Sequence, residues 1–551
     1  MSKIRIFGLG GLNENGKNMY VVEVDDNIFV FDAGLKYAQE GMFGVDYIIP
    51  ATTYLKNNSN KIKGFFITHG HEENMGALSD IIKDFPNVKI YGTSFTCEII
   101  KKDFEQSGIK SNNIVEIKPH KKVSFGDNLS IFPISLTHSI PDNVGYALYT
   151  KDGVIFYTGD FLFDSTMQGA YGTDIGKLAY LGKQGVLCLL SESLYAEHQG
   201  YTTPKHKLSN LIREILLKSE DRVICAVYKE HIYRIQELFS ELENADRKVV
   251  IMGKTLQNII DSAIDRGYIK FDKNRIGDLS NINDKNITIL VSDDKESPFR
   301  NLNRIVNGYD RYVKLNRSDT VVILENITDD MEKTVVNIAD QISKIGVNVV
   351  TLSRKKYLSH HASALDLMLM LDLIKPKYYF PVRGEYRHQL ANANIASEIG
   401  LPKENILLKQ NGDVVTIIDG KLLPDPDFVE TDTILIDGKS SEDIGELVIK
   451  DRQILSDNGI VIVSATLDKK TKKIIAGPEI LTRGFVYVKE NAELINESIK
   501  ISEEAITSNI DFEKNYIEYN KIKLSVREKL GKYLYKETEC KPMIITVIQE
   551  V

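Results

Sequence analysis

His69 and His71, two histidines separated by a single residue, are the side chains of this sequence best suited to bind a metal ion. Neutral imidazole is a common zinc ligand, and a loop between a strand and a helix can aim two such rings at one point. The apolar run at 64–67 predicts a buried strand before the pair, and the run at 77–82 predicts a helix after it. Alone, a His-x-His pair is about equally consistent with a metal site and with two ordinary loop histidines.

Three further candidate residues stand where other predicted strands end. Asp32 follows an apolar run at 28–31, His138 follows a strand pattern that starts at Leu129, and Asp160 follows the strand pattern from Gly153 to Tyr157. Each alone is weak evidence, because histidine and aspartate are common at strand ends in α/β proteins. Asp32 taken by itself is more typical of a turn cap. The order of all four segments along the chain carries more weight than any one of them.

In that order the four segments resemble motifs 1 to 4 of the metallo-β-lactamase fold. Motif 2 of that fold is usually written His-x-His-x-Asp-His, whereas this chain has Glu73 at the acid position and Asn74 at the last histidine position. The resemblance implies an α/β protein with the αββα sandwich of that fold. It also implies that Asp32 supports the metal site without binding the ion itself.

The chain then departs from a simple metallo-β-lactamase. Roughly 170 residues of alternating strand and helix pattern, typical of a parallel sheet, precede the segment His360-His361-Ala362-Ser363. This stretch has the size and position of a β-CASP insertion. Glu192 stands where the motif A acid of that family lies, and His361 stands where its motif B histidine lies. Arg383 takes the place of the motif C histidine.

Together with Gly16–Met19 and a further module after about residue 430, these segments resemble bacterial ribonuclease J over essentially the whole length. The implied organisation is the first part of the metallo-β-lactamase domain at 1–195, the β-CASP insertion at 196–362, the second part of the first domain with a linker at 363–430, and a small α/β C-terminal domain at 431–551.

The resemblance implies two metal ions, which would hold a bridging hydroxide and offset charge on the reacting oxygens. Its first ligand set is complete here: His69, His71 and His138, with Asp160. Its second set reads Glu73, Asn74 and Arg383. A neutral amide is a poor ligand beside imidazole, and a guanidinium stays protonated and repels cations.

We therefore expect at most one divalent ion per chain, zinc or manganese, with the second site empty. Glu73, at the altered acid position, and Asp160 are the candidate catalytic acids. Arg383 is expected to fill the vacant place and pair with Glu73 or Asp160.

The candidate RNA-contacting residues are His361, Ser363 and Glu192, because the first two correspond to positions near the 5′-terminal phosphate pocket in the family. His360 is expected to face solvent. Glu230 and His231 stand where the family has a small serine and an asparagine, and an acid near a phosphate path disfavours RNA. The segment from Ser292 to Glu296 also departs from the family pattern.

Composition sets broader limits. A chain of 551 residues suggests about three domains, and 42% hydrophobic with 26% charged residues is typical of a soluble globular protein. The sequence lacks a run of ~18 apolar residues, which predicts no membrane span, and it shows no signal-peptide pattern. Its four scattered cysteines predict buried thiols in a reducing compartment, hence the cytoplasm. The net charge of −8 neither indicates nor excludes nucleic acid.

The substitutions resemble the second, poorly active ribonuclease J paralogue that some bacteria keep beside an active one. The sequence therefore predicts a weakly active or inactive subunit of RNA maturation and decay. It would bind RNA and form a homodimer or assemble with the active paralogue. One alternative is an active metal-dependent 5′→3′ exoribonuclease and endoribonuclease that uses one metal or an altered second site. A small-molecule hydrolase is disfavoured, because a small substrate needs neither the insertion nor the C-terminal module.

Overall fold

The computed structural model describes the whole chain except residues 1, 39–40, 111–112, 127, 293–298, 328–330, 425–426, 439–444, 487–490 and 513–515. The chain forms two compact units. One comprises Met1–Ala38 and Asp46–Ile436, and the other comprises Gln39–Val45 and Asp437–Val551.

Runs of β-branched and aromatic residues form the first large sheet. Its strands are β1 Lys3–Gly10, β2 Met19–Val24, β3 Asn27–Phe31, β6 Ile62–Phe66, β7 Ile90–Gly92, β8 Ile114–Glu116, β21 Asp413–Ile418, β22 Lys421–Leu422 and β23 Asp427–Phe428. They are ordered β22-β21-β1-β2-β3-β6-β7-β8, with β23 paired to β21. The predicted strand before the His-x-His pair is β6.

A second sheet lies against the first. Its strands are β9 Val123–Ser124, β10 Ser130–Ser135, β11 Val144–Thr150, β12 Gly153–Tyr157, β13 Val186–Glu192 and β20 Tyr378–Val382. They are ordered β20-β13-β12-β11-β10-β9. An aromatic core joins the two sheets, with the rings of Phe31 and Tyr157 5.8 Å apart and those of Phe66 and Tyr146 5.8 Å apart.

Helices cover the outer faces of this pair of sheets and complete the αββα sandwich. On the side of the first sheet they are α1 Thr53–Asn57, α2 Glu72–Met75, α3 Leu78–Ile81 and α4 Ser94–Gln106; on the side of the second they are α5 Ile175–Gln184, α11 Ala364–Ile374 and α12 Tyr386–Glu398. The predicted fold class is confirmed.

The inserted domain begins after β13, and the chain returns to the sandwich through α11 and β20. The return is fixed by parallel pairing of β20 with β13, in which Cys188 is opposite Tyr378 and Glu192 is opposite Val382. The strands of the insertion are β14 Val223–Ala226, β15 Lys248–Met252, β16 Ile276–Gly277, β17 Ile287–Val291, β18 Thr320–Ile323 and β19 Asn348–Thr351. They form one parallel sheet ordered β16-β15-β17-β14-β18-β19.

The helices of the insertion are α6 Ser209–Lys218, α7 Ile232–Asn244, α8 Lys254–Asp265, α9 Phe299–Val306 and α10 Glu332–Ile345. The first unit also contains a small sheet, ordered β24-β5-β4, of β4 Lys36–Tyr37, β5 Tyr47–Pro50 and β24 Thr433–Ile436.

The second unit is a three-stranded sheet with helices packed on it. Its elements are α13 Gly445–Asn458, β25 Ile460–Leu467, β26 Ile474–Arg483, α14 Ala492–Thr507, α15 Tyr519–Thr538 and β27 Met543–Glu550, with strand order β26-β25-β27. Val461, Val463 and Leu530 belong to its buried core. The small α/β character predicted for this part of the chain is confirmed, while the predicted boundaries at 195, 362 and 430 stay predictions.

Two compositional predictions can be compared with the structure. Cys97, Cys188 and Cys225 are buried as expected, but Cys540 is only half-buried because it follows the C-terminal end of α15. Within the described residues, no helix combines the length and apolar character needed to cross a bilayer.

Candidate metal centre

The ends of three strands converge at one edge of the sandwich and carry the candidate ligands. His69 and His71 lie on the loop between β6 and α2, His138 lies beyond β10, and Asp160 lies beyond β12. Gly159 precedes Asp160 with φ of 60°, and a Cβ there would lie 2.8 Å from the Thr68 side chain. Glycine is therefore needed for the loop after β12 to approach the histidine loop.

The four candidate side chains present their ligand atoms at spacings that suit one ion. His71 Nδ1 lies 3.0 Å from His69 Nε2 and 3.2 Å from His138 Nε2. Asp160 Oδ2 lies 3.5 Å from His69 Nε2 and 3.9 Å from His138 Nε2. Ligands at the usual zinc–nitrogen distance are ~3.3 Å apart in a tetrahedron. Three imidazoles and one carboxylate therefore fit a tetrahedral divalent cation.

Burial keeps the three imidazoles neutral. It lowers the pKa of His69, His71 and His138 well below the ordinary value, and neighbouring histidines add to the effect on His71 and His138. The charge of Arg383 lowers the pKa of His69 further. A neutral imidazole has a lone pair to offer, so the protonation state suits metal binding.

Two of the rings are oriented by hydrogen bonds on the nitrogen that faces away from the site. His138 Nδ1 donates to the carbonyl of His360 at 2.7 Å, and His69 Nδ1 lies 2.9 Å from Thr68 Oγ1. Such partners fix the tautomer and the ring orientation of a metal-binding histidine. Thr68 precedes the His-x-His pair directly, and sequence reasoning missed this role.

Asp32 is connected to the candidate metal site by hydrogen bonds to Thr68, which in turn contacts His69. Its fully buried carboxylate accepts hydrogen bonds from Thr68 N at 2.8 Å, Tyr157 OH at 2.7 Å and Asn74 Nδ2 at 2.8 Å. Burial raises the pKa of Asp32 to about 6, against the effect of these hydrogen bonds. Asp32 is thus more than a turn cap, since its hydrogen bonds connect the end of β3 with the histidine loop and with β12.

The side chains of the altered second ligand set interact with one another. Arg383 Nη1 contacts Asp160 Oδ2 and lies 3.4 Å from Asn74 Oδ1. Arg383 therefore pairs with Asp160 and not with Glu73, one of the two partners expected from the sequence. Glu73 is half-buried, and its charge adds to the rise in the pKa of Glu230 that burial mainly causes.

The predicted RNA-contacting residues lie beside the ligand cluster. His361 Nδ1 lies 2.8 Å from Glu192 Oε2, and the other oxygen of Glu192 accepts from Phe161 N at 2.7 Å. Glu192 and Ser363 are both fully buried, and Ser363 caps α11. Glu192 therefore orients the His361 ring, and RNA contact by any of these residues stays a prediction.

The expectation that His360 faces solvent is wrong. Its ring is fully buried, 4.9 Å from the ring of His206 and 5.7 Å from that of Tyr233. A tertiary contact explains the burial, because the carbonyl of His360 accepts a hydrogen bond from His138 and the residue is therefore packed in the interior.

His231, from the inserted domain, also faces the ligand cluster. Its ring lies 5.5 Å from the ring of His71, and its Nδ1 lies 2.8 Å from Glu325 Oε2. Glu325 follows β18 in an acid-after-strand pattern, which is the signal that could have identified it. Of the segment 292–296, only Ser292 is among the described residues, and its carbonyl accepts a hydrogen bond from Asn301 Nδ2 at 2.9 Å.

A cavity of about 490 Å³ opens beside the histidine loop, between the sandwich and the inserted domain. Gly70 and Glu72 of the loop line one wall, and Lys229, Glu230 and Lys254 line another. Lys229 Nζ lies 3.4 Å from Glu72 and 3.5 Å from Glu230, so opposite charges are already matched across this space.

Four family models match the chain in succession. They are described as Beta-lactamase superfamily domain over residues 27–175, Ribonuclease J, beta-CASP domain over 220–342, Zn-dependent metallo-hydrolase RNA specificity domain over 346–407, and Ribonuclease J C-terminal domain over 447–551.

Similar proteins span the same length. Ribonuclease J2 of Bacillus subtilis (strain 168) is 37% identical over 552 residues, which cover 100% of this chain and 99% of that protein. Ribonuclease J 2 of Staphylococcus aureus (strain NCTC 8325 / PS 47) is 33% identical over 551 residues, which cover 100% of this chain and 98% of that protein. A solved structure described as a protein of unknown function from Enterococcus faecalis V583 has a TM-score of 0.54 at 14% identity. It covers 75% of this chain and 100% of that one, and this likeness concerns the fold alone.

Proposed function

Because this chain belongs to the ribonuclease J family, we propose that it acts in RNA maturation and decay as an RNA-binding subunit with little or no hydrolytic activity of its own. In this proposal it assembles with an active paralogue or with a second copy of itself. The observation that carries the proposal is the contact of the Arg383 guanidinium with Asp160 and Asn74.

The charge of Arg383 is the reason why hydrolysis should be weak. A two-metal site offsets negative charge on both the attacking and the leaving oxygen and generates the nucleophile from water. In this chain Arg383 takes the position of a ligand to the second ion in the family pattern, and its guanidinium stays protonated and cannot polarise water. Asn74 offers only an amide oxygen, and its nitrogen donates to Asp32.

We propose that a single zinc or manganese ion binds to His69, His71, His138 and Asp160. Four protein ligands close a tetrahedral ion, which leaves no position for an activated water. A family model described as zinc-dependent and the spacing of the ligand atoms both support this assignment.

RNA binding is proposed to persist, with His361 near the 5′ end of the strand. Its Nδ1 is engaged by Glu192, so the ring is held in one orientation. The match to a domain described as an RNA specificity domain supports RNA as the ligand. The cytoplasmic localisation stays a prediction.

A second candidate function is a slow ribonuclease that uses one ion. The dyad of His361 and Glu192 favours it, because an imidazole held by a carboxylate beside Asp160 is suited to proton transfer. In this version the chain's own residues would orient the phosphodiester and move the proton while only one cation is present.

Degradation of 5′-monophosphorylated RNA by the purified protein, with Mn²⁺ or Mg²⁺, separates the two functions. The protein is assayed alone, with its active paralogue, and as a His69→Ala and His71→Ala double variant that controls for contaminating nuclease. The first proposal expects no difference between the protein and the double variant, together with co-elution of the protein and its paralogue. Cleavage above the double variant's background supports the slow ribonuclease instead.

A further inference from the structure

Asp160 uses one and the same oxygen for two cationic partners. Oδ2 is the atom near His69 Nε2 and His138 Nε2, where a metal ion would bind, and it is also the atom that Arg383 Nη1 contacts. Oδ1 is buried and has no hydrogen-bond partner among the described residues. The guanidinium therefore lies on the ligand side of the carboxylate.

Arg383 is held in this position from several directions. Its side chain is nearly buried, and its backbone nitrogen donates to Gly11 O at 2.9 Å and to Tyr20 OH at 3.1 Å. Its backbone φ of 56° also aims the side chain from a left-handed loop position. A buried guanidinium requires a counter-charge, and Asp160 supplies it.

Asn74 also stabilises the position of Arg383 beside Asp160. Its amide oxygen faces Arg383 Nη1 at 3.4 Å, and its amide nitrogen donates to Asp32 at 2.8 Å. A neutral amide can do both at once, because it has an acceptor and a donor at opposite sides of one plane. The guanidinium, the amide and the two carboxylates thus form one connected polar network without a metal ion.

We propose that Arg383 is a built-in competitor of the metal ion. Its guanidinium neutralises Asp160 in the metal-free protein and lowers the affinity of the site formed by three histidines and Asp160, so that the fold does not depend on an ion. This inference deepens the proposed function, since it rests on the same single-ion site. It assigns to Arg383 the control of metal occupancy.

The test compares zinc binding by the wild-type chain with that of Arg383→Gln. Arg387→Gln is the matched control, because it removes the same charge four residues away from a side chain that pairs with Glu197 and Glu385. Each full-length protein is stripped with chelator and titrated with Zn²⁺ against a chromogenic chelator. Arg383→Gln should bind zinc at least about tenfold more tightly than wild type, and Arg387→Gln within about twofold of it. Equal or weaker binding by Arg383→Gln overturns the proposal.

Thermal unfolding gives a second readout. Without metal, Arg383→Gln should melt below wild type, because Asp160 has lost its counter-charge, and zinc should raise its midpoint more than that of wild type. If the variant folds only when expressed with added zinc, the proposal is supported. If it does not fold with zinc while Arg387→Gln does, the proposal is overturned. Efficient RNA cleavage by the wild-type protein alone would refute the proposed function and would leave these zinc measurements unchanged.

Discussion

Restoring the second ligand set should restore a second ion only when all three altered residues are changed together. The variant combines Glu73→Asp, Asn74→His and Arg383→His. In this structure Arg383 Nη1 contacts Oδ2 of Asp160, the oxygen that also lies near His69 Nε2 and His138 Nε2. Usual hydrogen-bond and metal–oxygen lengths then place the charge of Arg383 within about 5 Å of any ion bound to that oxygen.

The electrostatic repulsion between Arg383 and a bound metal ion decides which single substitutions can change activity. A unit charge about 5 Å from a dication is repelled by roughly 6–7 kcal/mol at an effective dielectric constant of about 20. The partial neutralisation by Asp160 reduces this, but not to a negligible value. Asn74→His alone therefore still faces the guanidinium, and Arg383→His alone still lacks a ligand at position 74. Each single change should leave RNA degradation within about twofold of wild type, since residues acting as a unit are not additive.

The triple variant should hold two equivalents of metal by elemental analysis and degrade 5′-monophosphorylated RNA at least about tenfold faster than wild type, equal to ~1.4 kcal/mol of barrier. Unchanged metal content would show that the ligand assignment is wrong. Two bound ions without activity would move the defect to substrate positioning, where Glu230 is the next residue to change.

Three further predictions concern metal content, the RNA end and pH. Protein purified without chelator should contain at most one transition-metal equivalent by elemental analysis, and two equivalents would disprove the single site. RNA with a 5′-monophosphate should bind more tightly than 5′-hydroxyl RNA in a gel-shift titration, and His361→Ala should remove the difference; equal affinities for wild type would exclude a functional end pocket. Because burial raises the pKa of Asp32 from its ordinary 3.8 to about 6 in the folded state, the folded protein binds a proton there that the unfolded chain does not. The contribution of this protonation to the free energy of unfolding is complete below about pH 4 and is lost as pH rises through about 6. The free energy of unfolding should fall by about 3 kcal/mol over this range. Asp32→Asn should flatten that part of the urea-midpoint profile, and an unchanged slope would contradict the assignment.

The sequence by itself determined the fold and the identity of the candidate ligands. Buried strand runs and their order are local properties, because the alternation or continuity of apolar residues reflects how each strand is covered. The sequence also predicts that a second cation site is absent, since an amide and a guanidinium are poor ligands wherever they point, and this stays a prediction. The His-x-His pair, His138 and Asp160 were selected by their places at strand ends together with the order of the four motifs that resemble the family pattern.

The tertiary structure alone decided which of these side chains meet. Arg383 and Asp160 are 223 positions apart in the chain, and the choice of Asp160 over Glu73 depends on how β12 and β20 are placed within one sheet. The burial of His360 likewise depends on a hydrogen bond from His138, 222 positions away. Pattern and residue type describe one segment at a time, whereas the pairing and burial of a loop side chain are set by whichever distant segments converge on it.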